Sequence, residues 1–194
     1  MKKHISSLYP MLLLSVFALT PGLFAQESGD ESYSMSKGQA ALYQLGFDIP
    51  RGSLAAPPFS LTTIDGETAS LSAAKGKLLL LNLWATWCPP CRQEMPSMQK
   101  IYERFAGKNF EMYAVAAPTP PRETLELITA HVADNGFTFP VPIDSEYQVN
   151  SIYGTGSIPT TWIIDEKGNI IARLVGATDW SSPEIIGALE MLIP

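Results

Sequence analysis

The stretch KLLLLNLWA, residues 77–85, is apolar from end to end except for its lysine and one asparagine. A strand with one wet face alternates apolar and polar residues, so an unbroken run is expected where both faces are covered by helices, at the centre of a sheet. The rest of the chain must then supply those helices and the neighbouring strands.

It does so by alternating the two hydrophobic periods. FSLTTIDGETASL reads as a hairpin turning at Asp65-Gly66. A helix is expected from Pro89 to Phe105, with Pro89 and Pro90 in a first turn whose backbone donors are unpaired anyway. Pro96 removes the bond to the Arg92 carbonyl and should bend that helix. FEMYAVAA reads as a strand, and RETLELITAHVADNG as a helix with Leu125, Ile128 and Val132 on one face. FPVPID is a short strand, followed by a helical turn over 146–153. TTWIIDEKGNIIARLVG is a second hairpin, and SSPEIIGALEML a closing helix opened by Ser182 and Pro183. Residues 56–194 thus describe one α/β domain, a mixed sheet flanked by helices with an N-terminal β-hairpin.

Upstream, residues 1–25 carry Lys2 and Lys3, an apolar stretch from Met11 to Leu19, and Ala25 before polar sequence, the pattern of a signal peptide. The apolar stretch is short of the roughly 20 residues of a membrane span. The expectation is a protein exported to the periplasm or otherwise outside the cytoplasm, the alternative being anchorage by an uncleaved leader. Residues 26–55 read as a linker, with a short amphipathic helix over 37–47 whose default role is packing against the domain.

The formal net charge is −6, and residues 1–25 hold lysines but no acid, so the remainder is more acidic still. Phosphate backbones would be repelled, which argues against nucleic-acid partners. Beyond the leader the only histidine is His131, read as a surface residue, so a zinc site of cysteine and histidine ligands lacks donors. No cofactor is implied.

Cys88 and Cys91 are the only cysteines. A bridge across so short a loop gives about 2 kcal/mol in the chain-entropy model, against about 4.7 for a 100-residue loop. Stability is a poor reason for this spacing. At the start of a helix the pair has another use, because unpaired N–H groups and the macrodipole favour a thiolate.

Taken together, APPFSLTTIDGETASLSAAKGKLLLLNLWATWCPPCRQEMP, FTFPVPID and IPTTWIID, in that order, resemble the extracytoplasmic thiol oxidoreductases of the TlpA and ResA type. The resemblance implies a thioredoxin-like fold and a Cys-Pro-Pro-Cys dithiol at the first core helix. Cys88 would be the nucleophile that attacks a partner disulfide, and Cys91 the resolving thiol. Glu94, in C-x-x-C-x-x-E, would assist proton transfer at the thiols; the alternative is an exposed first-turn glutamate. Asn82 stands where cytoplasmic thioredoxins have a buried aspartate. Pro159, after Ile158, matches the family's cis-proline, leaving the Ile158 backbone free to pair with an extended substrate. Trp87, Pro89 and Pro90 border this docking surface, while Trp84, Trp162 and Trp180 are read as packing.

Partners implied are disulfide-containing extracytoplasmic proteins, as in cytochrome c maturation or oxidase assembly, and a membrane thiol donor, with the protein itself a monomer. Two other readings stay open. One is a Cu(I) carrier using Cys88 and Cys91 with Met95 or Met98. The other is a peroxiredoxin-like peroxidase, whose threonine would stand where Ala85 is. The loop APTPPRE, residues 117–123, is too rich in proline for a regular element and reads as a connector.

Overall fold

In the computed structural model the leucine run forms a strand, and all seven of its residues are buried. The structure describes residues 34–194, so the expected leader lies outside it. In chain order the elements are α1 (Lys37–Gln44), β1 (Leu54–Ala55), β2 (Ser60–Thr63), β3 (Thr68–Ser70), β4 (Leu78–Trp84), α2 (Pro89–Arg104), β5 (Phe110–Ala116), α3 (Leu125–Asp134), β6 (Pro142–Ile143), α4 (Gln148–Tyr153), β7 (Thr160–Ile164), β8 (Asn169–Val175) and α5 (Pro183–Glu190).

The eight strands form one sheet in the order β1-β8-β7-β4-β5-β6-β2-β3. β4 runs parallel to β5 and antiparallel to β7. Its two faces follow the strand period of two. Leu78, Leu80 and Trp84 point into a core shared with Met95, Met98 and Ile101 of α2, Ile128 and Val132 of α3, and Ile185 and Leu189 of α5. Leu79, Leu81 and Leu83 point the other way, onto Phe59, Tyr113, and Val149 and Tyr153 of α4. This is the mixed sheet with flanking helices and a leading hairpin, β2-β3, that the periodicity predicts. Met95 and Met98 are both fully buried core side chains. Leu125, expected on the inner face of α3, is instead exposed at its first turn.

The helix caps account for the boundaries. Thr124 and Ser182 accept the backbone N–H groups of Leu127 and Ile185 through their side chains. Ser36 and Gln39 form a reciprocal capping box at α1. Among the described residues no helix is long and apolar enough to cross a membrane.

The segment read as linker is drawn differently by the structure. α1 lies against α5 so closely that a Cβ on Gly38 would sit 2.5 Å from Leu192 Cγ. Leu42 is fully buried, and Phe47 meets Trp180 edge-on at 5.8 Å. Asp48 pairs with Arg173 through the backbone, and β1 adds to the sheet edge at β8. Residues 37–55 therefore belong to the folded unit, because their apolar contacts come from the far C-terminal end of the chain. Leu42→Ala is expected to cost about 2–5 kcal/mol in urea unfolding, as for a buried core leucine. A change under about 0.5 kcal/mol, the mark of a detached surface helix, would contradict this packing.

Candidate active site: a dithiol above a buried carboxylate

The C-terminal end of β4 delivers the chain to Cys88, the N-cap of α2. Cys88 and Cys91 are joined in a disulfide with their Cα atoms 5.3 Å apart. Cys88 Sγ accepts the Cys91 backbone N–H at 3.3 Å, one of the unpaired donors of the first turn. It also lies 3.7 Å from the carbonyl oxygen of Ile158, whose peptide bond to Pro159 is cis. Pro89 and Pro90 occupy the first helical positions and are exposed, while Trp87 and Ile158 are half-buried beside them. The structure thus gathers Trp87, Cys88, Pro89, Pro90, Cys91, Ile158 and Pro159 at one end of the sheet.

Glu94 is not an exposed first-turn glutamate. It is 2 % exposed and sits one turn below Cys91 on the same helix. Asn82 projects from the α2-facing side of β4, and its Nδ2 donates to Glu94 Oε1 at 2.9 Å and to Thr161 Oγ1 at 2.9 Å. Glu94 Oε2 accepts Trp180 Nε1–H at 3.2 Å and the Thr178 backbone N–H at 3.4 Å. Burial pushes the carboxyl up from its ordinary 4.5 to about 7; the three hydrogen bonds pull it down, and desolvation wins. The buried Asn82 Oδ1 has no partner among the described residues. A 180° turn of that amide would let a protonated Glu94 donate to it, so both states of the carboxyl can be accommodated. A cleft of about 420 Å³ lined by Gln93, Ser97, Thr178 and Asp179 opens onto Glu94.

Trp180, read from the sequence as packing alone, is a direct partner of Glu94. Ser97 holds it there: its hydroxyl donates to the Glu94 carbonyl at 2.6 Å and accepts the Trp180 backbone N–H at 3.0 Å. Neither contact has a local sequence signal, since Trp180 lies 86 residues beyond Glu94. His131 is half-buried against Trp84, ring centroids 5.6 Å apart, and burial followed by the nearby Arg92 lowers its pKa. Glu123 was also hidden in the sequence, in the proline-rich loop; it has no exposed surface, and its Oε1 accepts the Thr86 N–H at 2.5 Å.

The fold and the dithiol can be set against known proteins. The AhpC/TSA family model matches residues 53–173. The chain belongs to that family. The thioredoxin-like protein YneN of Bacillus subtilis is 48% identical over 116 residues, covering 59% of this chain and 66% of YneN. The thiol-disulfide oxidoreductase ResA of Bacillus thuringiensis (strain Al Hakam) is 34% identical over 139 residues, covering 72% of this chain and 77% of ResA. Among solved structures, the pneumococcal exposed lipoprotein thioredoxin Etrx1 of Streptococcus pneumoniae strain TIGR4 superposes with a TM-score of 0.61 at 28% identity, over 70% of this chain and all of Etrx1. Within AhpC/TSA the chain is a thiol-disulfide oxidoreductase of the ResA type, with a thioredoxin-like sheet and a Cys-x-x-Cys disulfide.

Because the folded-state pKa of Glu94 is raised, its contribution to stability is full below about pH 4.5 and is lost as pH rises through about 7. The expected loss between those limits is up to about 3 kcal/mol, from 1.36 kcal/mol per pKa unit. Unfolding of the oxidised protein compared with Glu94→Gln at pH 4 and pH 8 checks this; a wild-type-minus-variant difference independent of pH would refute the perturbed carboxyl.

Proposed function

We propose that the protein is exported and reduces disulfides in specific extracytoplasmic proteins, with Cys88 as nucleophile, Cys91 as resolving thiol and Glu94 as the proton donor and acceptor beneath them. The observation that carries the reading is the combination of a dithiol at a helix N-terminus with a buried carboxyl poised near neutrality one turn away. In the reduced protein the unpaired N–H groups at the start of α2 favour the Cys88 thiolate. Attack on a client disulfide forms a mixed disulfide and expels one client thiolate, which takes up a proton. Ionised Glu94 accepts the Cys91 thiol proton. The Cys91 thiolate then attacks Cys88 Sγ, expelling the second client thiolate. Two electrons pass to the client; its second thiolate takes the proton now held by Glu94, the first having taken one from solvent, and the protein is left with the disulfide seen here.

An extended client segment would pair with the Ile158 backbone, beside Trp87 and just ahead of β7, where Pro159 offers no N–H. ResA is described as a thiol-disulfide oxidoreductase and Etrx1 as an exposed lipoprotein. The second description supports placing the reaction outside the cytoplasm, where a membrane thiol donor would restore the dithiol. Cytochrome c maturation and oxidase assembly are client pathways of this chemistry. Glu94 reaches solvent through its own cleft, so its proton can be replenished between turnovers.

Two measurements test the reading. Cys91→Ser should accumulate mixed disulfides with extracytoplasmic proteins that Cys88→Ser does not form; no accumulation would remove Cys88 from the nucleophile's role. The couple equilibrated against thiol buffers at pH 7 should lie below about −220 mV, in the range of reductants on this fold. A potential above about −150 mV would mean a disulfide donor, and the reductive direction would be wrong.

A further inference from the structure

The loop between β5 and α3 carries a carboxylate that the exchange chemistry does not use. Glu123 is fully buried, its Oε1 is engaged by the Thr86 N–H, and its Oε2 is buried with no hydrogen-bond partner among the described residues. A desolvated, unpaired carboxylate oxygen costs free energy, and such groups mark places where something else is accommodated. Glu123 lines a cleft of about 330 Å³ whose walls include Trp87, Thr119, Tyr147 and Ile158. Trp87 precedes Cys88, and Ile158 has its carbonyl against Cys88 Sγ, so the cleft opens beside the disulfide. Thr119 Oγ1 and Trp87 Nε1 are also buried without partners among the described residues.

The walls are held in place by their own contacts. Tyr147 has a left-handed backbone, φ 55° and ψ 27°, rare for a bulky residue, and its hydroxyl donates to the Pro118 carbonyl at 3.2 Å. The loop's own cation does not reach Glu123: the Arg122 guanidinium lies over the Trp87 ring, 3.7 Å from its centroid.

We propose that Glu123 sets client specificity, its free oxygen receiving a lysine or arginine side chain within two residues of the client cysteine that Cys88 attacks. Such a side chain supplies both the missing donor and the compensating charge, and charge-assisted hydrogen bonds are about twice as strong as neutral ones. An arginine fork could also reach Thr119 Oγ1. The chain's net charge of −6 draws basic segments toward it in any case. The proposal rests on the thiol-disulfide exchange reading above.

The test uses short peptides with one internal disulfide, differing only in Lys, Arg, Gln or Glu at one position, scanned over two residues either side of the attacked cysteine. Second-order rate constants for oxidation of the dithiothreitol-reduced protein are read by stopped-flow tryptophan fluorescence. At one position Lys or Arg should exceed Gln by roughly 10-fold or more, with Glu slowest. In Glu123→Gln, which keeps an acceptor for the Thr86 N–H, the Lys-to-Gln ratio should fall to about one. That ratio is insensitive to an overall loss of activity. Equal wild-type rates at every position, or a ratio unchanged in Glu123→Gln, would overturn the assignment while leaving exchange intact. No reaction with any peptide would overturn the exchange reading together with it.

Discussion

Burial of β4 on both faces is the constraint from which the site follows. A strand wet on one side could carry its polar residues there; β4 cannot, so Asn82, the one polar side chain among its seven residues, must find partners inside the protein. The period of two puts Asn82 on the face of Leu80 and Trp84, toward α2, and a shift of one residue would turn it to the α4 side. Its position fixes where a buried carboxylate can sit. The parallel pairing of β4 with β5 and antiparallel pairing with β7 then bring the Cys88 turn, the β5 loop and the cis Ile158–Pro159 peptide to the same end of the sheet.

Glu94 shows how distant parts of the chain bear on one titrating group. Desolvation is the largest influence on it, and desolvation is supplied by whatever covers α2. Trp180, which donates to Glu94 Oε2, is part of that cover, and it is itself buried against Phe47, which follows α1. The segment ahead of the sheet therefore supports the carboxyl through two aromatic rings. Loosening α1 would admit water around Trp180, weakening both the desolvation that raises the Glu94 pKa and the Trp180 hydrogen bond that lowers it; desolvation is the larger, so the pKa would relax toward ordinary carboxyl values. In the proposed cycle this lowers the driving force for taking a proton from Cys91 near neutral pH.

What was legible in the sequence is what local rules encode. The unbroken leucine run, the prolines at the start of α2, the serine ahead of Pro183 and the turn around Lys167-Gly168-Asn169 each specify their element within a few residues. The dithiol was legible from its spacing, and Glu94 from being three residues beyond Cys91. Its burial was not, because the residues that cover it, Trp180 and Thr178, come from more than 80 positions away. α1 was legible as a helix, but what it packs against was not, for the same reason: its partner is α5, at the other end of the chain. Glu123 gave no signal at all. A glutamate after two prolines and an arginine reads as solvated loop, and only the fold of that loop onto Thr86 buries it.

The two buried carboxylates also divide the site. Glu94 is approached through a cleft bordered by Gln93, Ser97 and Asp179, and Glu123 through one bordered by Trp87, Tyr147 and Ile158; no residue lines both. In the proposed docking mode a client lying along Ile158 would cover the second cleft and leave the first uncovered. In the proposed cycle proton exchange at Glu94 would then not have to wait for the client to leave, so deprotonation of Cys91 would proceed while the mixed disulfide is shielded from other thiols. In that cycle client choice and proton transfer are therefore separated in space, and a substitution in one cleft would alter its own step without rebuilding the other.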